Sequence, residues 1–140
     1  MRTFPAAAGI TCAATVMLTV EGADSMRYFL LGAVGYPLLE LCWRGRTHPS
    51  MALAGGLTTL LLGRLQRTRL SIVQGALLGG LAVTGLEALI GCTVNRRHRI
   101  WDYRAMPCNW QGQICLPYTL LWGALCGGTL AIMRAARKFY

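Results

Sequence analysis

The chain has 140 residues, of which 54% are hydrophobic and only 14% are charged, and its formal net charge is +9. Soluble proteins carry about 25% charged residues, and a soluble core of this size cannot bury so much apolar surface. The composition therefore argues against a soluble fold and favours an integral membrane protein, whose apolar side chains are solvated by lipid.

The positive charge is concentrated in short arginine-rich stretches between apolar runs. In a soluble protein, a net charge of this size would favour nucleic-acid binding. Cations that flank apolar runs are instead typical of a membrane surface, where they contact anionic lipid headgroups. The sequence predicts the lipid bilayer as a partner and argues against nucleic acid.

Five apolar runs predict an all-α fold, a polytopic transmembrane helical bundle of about five membrane segments in a single integral membrane domain over residues 1–140. The runs cover residues 4–20, 26–43, 51–63, 71–94 and 116–133. The first run is interpreted as a transmembrane helix rather than a signal peptide, and residues 21–25 as a polar turn after it. The third run is short, so it either just crosses from Pro49 or is re-entrant.

The distribution of lysine and arginine bears on orientation. With five segments, these residues divide evenly between the two sides, so the positive-inside rule selects no orientation. An even division permits insertion in both directions and an antiparallel homodimer. If the third run is re-entrant, the division becomes unequal and one orientation is favoured.

Glycines recur four residues apart in the last two runs, at Gly75 and Gly79 and again at Gly123 and Gly127. This small-xxx-small spacing lets two helix backbones approach closely. We expect these glycines to lie in helix–helix contacts rather than to face lipid.

Two glutamates, Glu40 and Glu87, lie inside apolar runs. A carboxylate at such a depth costs about 2.5–3.5 kcal/mol on insertion scales and often marks an ion or proton path. Glu40 has Arg44 one turn later, which favours a structural ion pair. Glu87 has Thr84 three residues earlier and no arginine four residues later, so an ion-responsive role and a hydrogen-bonded helix clamp are equally open.

A polar segment, residues 99–116, separates the last two runs. Asp102, Asn109 and Gln113 provide a carboxylate and two amides for a pore mouth or ligand pocket, and Asp102 also has arginines nearby for pairing. Asn109 has a second interpretation, in which its amide satisfies backbone groups in a turn. Trp101 and Tyr103 are substrate-path candidates, although such rings are also typical of an interfacial aromatic belt.

The sequence contains no motif typical of an enzyme or a metal site. None of the serine-hydrolase, zinc-protease or Walker patterns is present, and the six cysteines form no CxxC pair. We therefore expect no enzyme activity, no catalytic residue, no cofactor and no metal. A Cys108–Cys115 disulfide would form only in an oxidising compartment.

Several stretches carry a resemblance to a known family. They are Arg44-Gly-Arg-Thr-His-Pro-Ser-Met51 with Gly55-Gly56, then Thr84-Gly-Leu-Glu-Ala-Leu-Ile-Gly91, then Asn95, then Trp101-Asp-Tyr103 with Pro107, Asn109 and Gly112-Gln-Ile-Cys-Leu116, and Trp122-Gly123. Together they resemble the small bacterial membrane proteins described as putative ABC-transporter type IV permeases. The resemblance implies a multi-pass protein of the bacterial cytoplasmic membrane that needs partner membrane proteins or self-assembly to form a path.

The sequence departs from the family's pattern at Arg104, Cys108 and Pro49. These departures weaken any carry-over of a role to Asp102 but do not affect Glu87 or Asn109.

Two function hypotheses follow. The first is a transporter or channel for an ion or small solute, acting as a homo-oligomer, with Glu87 as the responsive group and the polar segment at the entrance. The second is a non-enzymatic membrane scaffold or accessory permease subunit for partner proteins. A third, a lipid-modifying enzyme that uses Asp102, is favoured by no motif.

Overall fold

A computed structural model describes the backbone of residues 7–138 and the side chains of residues 24–138. Its elements are four helices and a short two-stranded hairpin. In chain order they are α1 (Ala7–Arg44), α2 (Pro49–Leu65), α3 (Ile72–Thr93), β1 (Asn109–Trp110), β2 (Ile114–Cys115) and α4 (Leu116–Ala136). The strands are antiparallel, with Asn109 opposite Cys115. The fold is therefore helical, as predicted.

The prediction of about five membrane segments is wrong, because α1 is one continuous helix of 38 residues that covers the second run and the described part of the first. Residues 4–6 of the first run lie outside the described residues. The predicted turn at 21–25 is helical. It contains no proline, and the charge of Asp24 is met by Arg67, in the turn after α2, at 2.8 Å and by Arg27 one turn later at 3.8 Å. The polar residues at 21–25 therefore interrupt the hydropathy pattern without interrupting the helix.

The helix starts follow from local capping. α2 begins at Pro49, which suits a first helical position, and the His48 ring Nδ1 accepts a hydrogen bond from the Ser50 backbone N–H at 3.2 Å. α3 begins after Ser71, whose hydroxyl accepts from the Gln74 N–H while the Gln74 side chain accepts from the Ser71 N–H, a capping box.

α1 and α2 form one antiparallel helical hairpin. Their backbones touch at Gly32 and Gly55, where a Cβ added to either glycine would collide with the backbone oxygen of the other glycine. Thr59 adds a bond across this contact, since its hydroxyl donates to the Tyr28 carbonyl at 2.6 Å. The pair is therefore held by close backbone approach rather than by interlocking large side chains.

α3 and α4 form a second antiparallel hairpin that contains the four predicted packing glycines. Gly75 lies against Leu130 and Gly79 against Cys126. On α4, Gly123 approaches Gly80, and Gly127 approaches Ala76. These glycines therefore lie where the helices approach most closely, and the two hairpins meet through α2 and α3.

Because the helices alternate in direction, the connections fall at two ends of the bundle. Residues 45–48 and 94–115 form what we call the loop end, and residues 66–71 form the turn end. At the loop end, Arg44 donates from Nη1 to the Ile100 carbonyl at 2.7 Å. At the turn end, Arg134 donates from Nη1 to the Leu70 carbonyl at 2.7 Å. The polar segment is therefore anchored to the C-terminus of α1.

Among the described residues, two helices, α3 and α4, are long and apolar enough to cross a membrane. Two such helices are weak evidence alone, because core helices of soluble proteins meet the same criterion. Here, however, large apolar side chains are exposed on all four helices, including Leu31, Leu53, Leu81 and Leu120. An apolar outer surface of this extent is typical of proteins that contact lipid.

Candidate functional site

The polar segment folds as a compact loop held by two buried amides. Asn95 is only 1% exposed; its Nδ2 donates to the Trp101 carbonyl at 2.8 Å and its Oδ1 accepts from the Ile100 N–H at 2.9 Å. Gln113 completes the pair by donating from Nε2 to the Asn95 carbonyl at 3.1 Å. Sequence reasoning selected Gln113 but missed Asn95 as a site residue, although an asparagine directly after the end of an apolar run is a recognisable signal for a turn.

Asn109 begins β1 and is exposed, and its side chain stabilises the turn at the hairpin tip, residues 111–113. Its Nδ2 donates to the Met106 carbonyl at 2.8 Å, and its Oδ1 accepts from the Gly112 N–H at 3.0 Å. Gly112 has a φ of 66° and Gln111 one of 52°, so this tip uses left-handed backbone that Asn109 stabilises. The geometry matches the turn interpretation of Asn109.

Cys108 and Cys115 are free thiols, Cys108 exposed and Cys115 buried. A backbone hydrogen bond connects the two segments, since the Leu116 N–H donates to the Cys108 carbonyl at 3.3 Å.

Asp102 is exposed at the rim of the loop and pairs with Arg104. Arg104 donates from Nη2 at 2.6 Å and from Nε at 2.9 Å to the carboxylate. These side-chain hydrogen bonds, followed by one from the Arg104 backbone N–H, lower the pKa of Asp102 to about 2. Asp102 is therefore a paired, ionised group near neutral pH.

Trp101 and Tyr103 are buried, at 7% and 8% exposure, which does not fit the aromatic-belt interpretation. The Trp101 indole donates to the Gln113 carbonyl at 2.8 Å. The Tyr103 hydroxyl donates to Oε1 of Glu87 at 2.9 Å. Burial, and next the charge of Glu87, raise the pKa of the Tyr103 phenol well above its usual range, so it remains a donor. The third tryptophan or tyrosine ring of the polar segment, Trp110, is exposed.

Glu40 is fully engaged at the C-terminus of α1. Arg44, one turn later, donates to Oε1, and the Thr47 hydroxyl donates to Oε2 at 2.6 Å. The ion pair predicted from the spacing is thus present. Through the Arg44–Ile100 bond, it also ties the helix to the loop.

Glu87 differs from the other two carboxylates because it has no cationic partner among the described residues. It is 9% exposed, and only its Oε1 is hydrogen-bonded, to Tyr103. Its Oε2 is buried and makes no hydrogen bond of good geometry with any residue in 24–138, and the same is true of the indole Nε1 of Trp122. The Trp122 N–H nevertheless lies close enough to interact with the Glu87 carboxylate, so it is a weak donor to this group. A buried polar atom left in this state calls for a functional or ligand-based explanation.

A cavity of about 570 Å³ opens beside Glu87 at the loop end. It is lined mainly by aromatic and apolar side chains, with Glu40, Glu87, Arg44, Arg46 and Asp102 as the charged members. Six rings contribute: Tyr36, Trp43, Trp101, Tyr103, Tyr118 and Trp122. Tyr103 stacks on Tyr118 with ring centroids 4.4 Å apart, and the edge of Tyr36 meets Trp122 at 5.8 Å. We call this set the aromatic cavity.

Sequence reasoning did not select Tyr36 and Tyr118 for this site, and it noted Trp122 only for its resemblance to the family. Tyr118 and Trp122 are four residues apart, a spacing that puts both on one face of α4. Tyr36 is likewise four residues before Glu40 on α1. The spacing signal existed, but apolar runs made these rings look like ordinary core or lipid-facing residues.

The structure divides the predicted site residues into two groups. Glu87, Glu40, Trp101, Tyr103 and Asp102 line or rim the aromatic cavity, whereas Asn109 and Gln113 act on the loop backbone. Among the described residues, no group of three histidine, cysteine, aspartate or glutamate side chains could hold a metal ion.

Comparison with known proteins gives one match. The model of a family described as "Putative ABC-transporter type IV" matches residues 47–138, which include α2, α3, the loop and α4. No curated protein and no solved structure matches the chain significantly. Glu87, Tyr103, Tyr118 and Trp122 lie inside the matched region, whereas Tyr36 and Glu40 lie outside it.

Proposed function

Since the chain belongs to the family described as "Putative ABC-transporter type IV", we propose that it is a small multi-pass protein of the bacterial cytoplasmic membrane that moves an ion or small solute. Glu87 is the group that binds the transported species, and the polar segment covers the entrance. The protein acts as a homo-oligomer or together with partner membrane proteins. The family and the two apolar helices suggest the membrane location; the transport role is our inference.

The observation that carries the proposal is the buried carboxylate of Glu87 beside the aromatic cavity, which has no cationic partner among the described residues. A buried charge is costly unless it is paired. Glu40 meets this requirement with Arg44 and Thr47, whereas Glu87 has only the neutral donors Tyr103 and, in poor geometry, Trp122. An ion or cationic solute entering the cavity would supply that partner.

A helix clamp alone would not need a carboxylate. The bond from Tyr103 requires only an acceptor oxygen, which the amide of glutamine provides without the desolvation cost of a charge. The presence of the more costly acid at this position therefore favours ion binding over clamping.

Reconstitution into liposomes tests the proposal, with charge movement recorded after jumps in proton, potassium or organic-cation concentration. Glu87→Gln keeps the acceptor for Tyr103, so we expect a folded protein whose flux is abolished. Asp24→Asn removes the same charge at the turn end and serves as the matched control, with flux retained. Flux through the Glu87→Gln variant at the wild-type level would contradict the role of Glu87.

The second candidate is a non-enzymatic scaffold or accessory permease subunit. It is favoured by two tethers from helix to loop, through Arg44 and Glu87, and by the Asn95 bond within the loop, which would hold the loop as a fixed surface for a partner. This function predicts no flux from the isolated wild-type protein. It also predicts that Glu87→Gln leaves partner assembly intact, because the Tyr103 bond survives.

A further inference from the structure

The aromatic cavity has a composition that narrows the class of ligand. Its volume, about 570 Å³, falls in the range of small-molecule sites. Its walls are mostly rings and aliphatic or thioether groups, including Met51 and Met106. Such walls favour a ligand with a substantial apolar body rather than a hydrated inorganic ion.

The rings are arranged so that several contribute to one space. Tyr118 lies between Tyr103, at 4.4 Å, and Trp122, at 6.1 Å, and Tyr36 meets Trp122 from α1. Aromatic faces attract cations placed within about 6 Å of a ring centroid, and groups of such rings recognise quaternary ammonium compounds. The rings come from α1, the loop and α4, so only the folded chain assembles them.

The charges in the cavity also favour a cation. Arg44 is matched by Glu40, and Asp102 by Arg104. Arg46 is exposed at the mouth. Arg44 Nε is buried without a partner, but its guanidinium charge is already met by Glu40. The buried carboxylate that remains without a cationic partner among the described residues is Glu87.

We propose that the aromatic cavity is a binding site for an organic cation, an ammonium compound with an apolar or aromatic body, with Glu87 as the counter-ion and Tyr118 and Trp122 as ring faces. The cation site rests on the proposed function only because both involve Glu87, and it names the class of substrate. A metal ion is disfavoured, because hard cations take six or more oxygen ligands and this cavity offers mainly rings.

The test compares two ligands of the same shape. Benzyltrimethylammonium carries the charge, and neopentylbenzene replaces its nitrogen by carbon. Calorimetric titration of the protein in lipid nanodiscs, with empty nanodiscs subtracted, should give saturable binding of the cation. We expect the neutral isostere to bind at least tenfold more weakly. Equal affinity for the two would overturn the proposal.

Variants locate the site. Glu87→Gln should weaken benzyltrimethylammonium binding at least tenfold. Tyr118→Leu should bind at least threefold more weakly than Tyr118→Phe, because the phenylalanine keeps the ring face. Thermal unfolding of each variant identifies any loss that is due to misfolding. Full affinity in folded Glu87→Gln, or in folded Tyr118→Leu, would overturn the site assignment.

The outcomes separate this inference from the transport proposal. Saturable cation binding without charge movement in liposomes would contradict transport and leave the cation site intact. Proton or potassium flux in a protein that does not bind benzyltrimethylammonium would contradict the cation site and leave transport intact.

Discussion

The three carboxylates at the loop end differ in what neutralises them. Glu40 is paired with Arg44 on its own helix, and Asp102 with Arg104 two residues later. Both partners are close in sequence, so spacing could indicate them. Glu87 depends on Tyr103, which is sixteen residues away and across a loop. Its environment could not be read from its neighbours in the sequence.

Asp102 gives a prediction about pH. Because Arg104 lowers the pKa of Asp102 to about 2 from an ordinary value of 3.8, the ion pair is fully present above the ordinary value and is lost as the pH falls through about 2. We expect an NMR carboxyl titration midpoint near 2. Asp102→Asn should leave any activity profile between about pH 4 and 8 unchanged. A midpoint near the ordinary value would contradict the pairing. If the wild-type protein turns over a lipid and Asp102→Asn does not, the enzyme hypothesis would be favoured instead.

Asn95 gives a prediction about stability. Asn95→Ala removes its bonds to Trp101 and Ile100 and leaves those buried backbone groups unsatisfied. We expect the free energy of unfolding to fall by about 1–3 kcal/mol, measured by chemical denaturation in detergent. Gln111→Asn is the control, since asparagine tolerates the left-handed backbone at this exposed position. A similar loss in both variants would contradict a special role for Asn95.

At the level of elements, the α3–α4 contact depends on glycine. A Cβ on Gly80 would lie 2.9 Å from the Gly123 backbone, which cannot rotate away. Gly80→Ala should therefore push the helices apart and destabilise the protein by about 1–3 kcal/mol. Denaturation in detergent measures the effect.

Gly85 provides the matched control on the same helix. Nothing lies within 4 Å of a Cβ built there. Gly85→Ala should stabilise the protein by about 0.5–1 kcal/mol, because alanine loses less backbone entropy in a helix. If both variants behave alike, close packing of α3 on α4 does not control stability.

The length of α1 was the main error at this scale. Hydropathy divides residues 4–43 into two runs, but residues 21–25 contain no strong helix breaker besides Gly22. Helix continuation is decided by backbone compatibility and by a partner for the charged side chain. Arg67, 43 residues away in the turn after α2, supplies that partner for Asp24, so the sequence could not reveal it.

For the whole molecule, the fold predicts the sides reached by its connections. Residues 66–71 and the C-terminus of α4 lie at the turn end, and residues 94–115 at the loop end. Cysteine-free protein is set in one orientation by replacing Arg69 and Arg137 with alanine, and a single cysteine is placed at position 68, 108 or 138. An impermeant maleimide should then label 68 and 138 from the same side and 108 from the other. Labelling of 68 and 108 from one side only would contradict the four-helix arrangement.

Arginines and lysines are still divided almost evenly between the two ends. The positive-inside rule therefore predicts two populations of opposite orientation, and reporters fused to the C-terminus should give signal on both sides of the membrane. Replacing Arg69 and Arg137 by alanine should favour the orientation in which the turn end lies on the outer side of the membrane. A single orientation that these changes do not alter would contradict dual insertion.

The sequence alone determined the helical class, the family, the packing glycines and the pairing of Glu40 with Arg44, because composition, motifs and spacings of three or four residues are local properties. Tertiary structure decided that α1 is continuous, that Trp101 and Tyr103 are buried, and that Glu87 faces a cavity shared by α1, the loop and α4. These features depend on contacts between residues far apart in the chain. In a uniformly apolar sequence, the hydrophobic pattern does not separate a ring that faces lipid from one that lines a cavity.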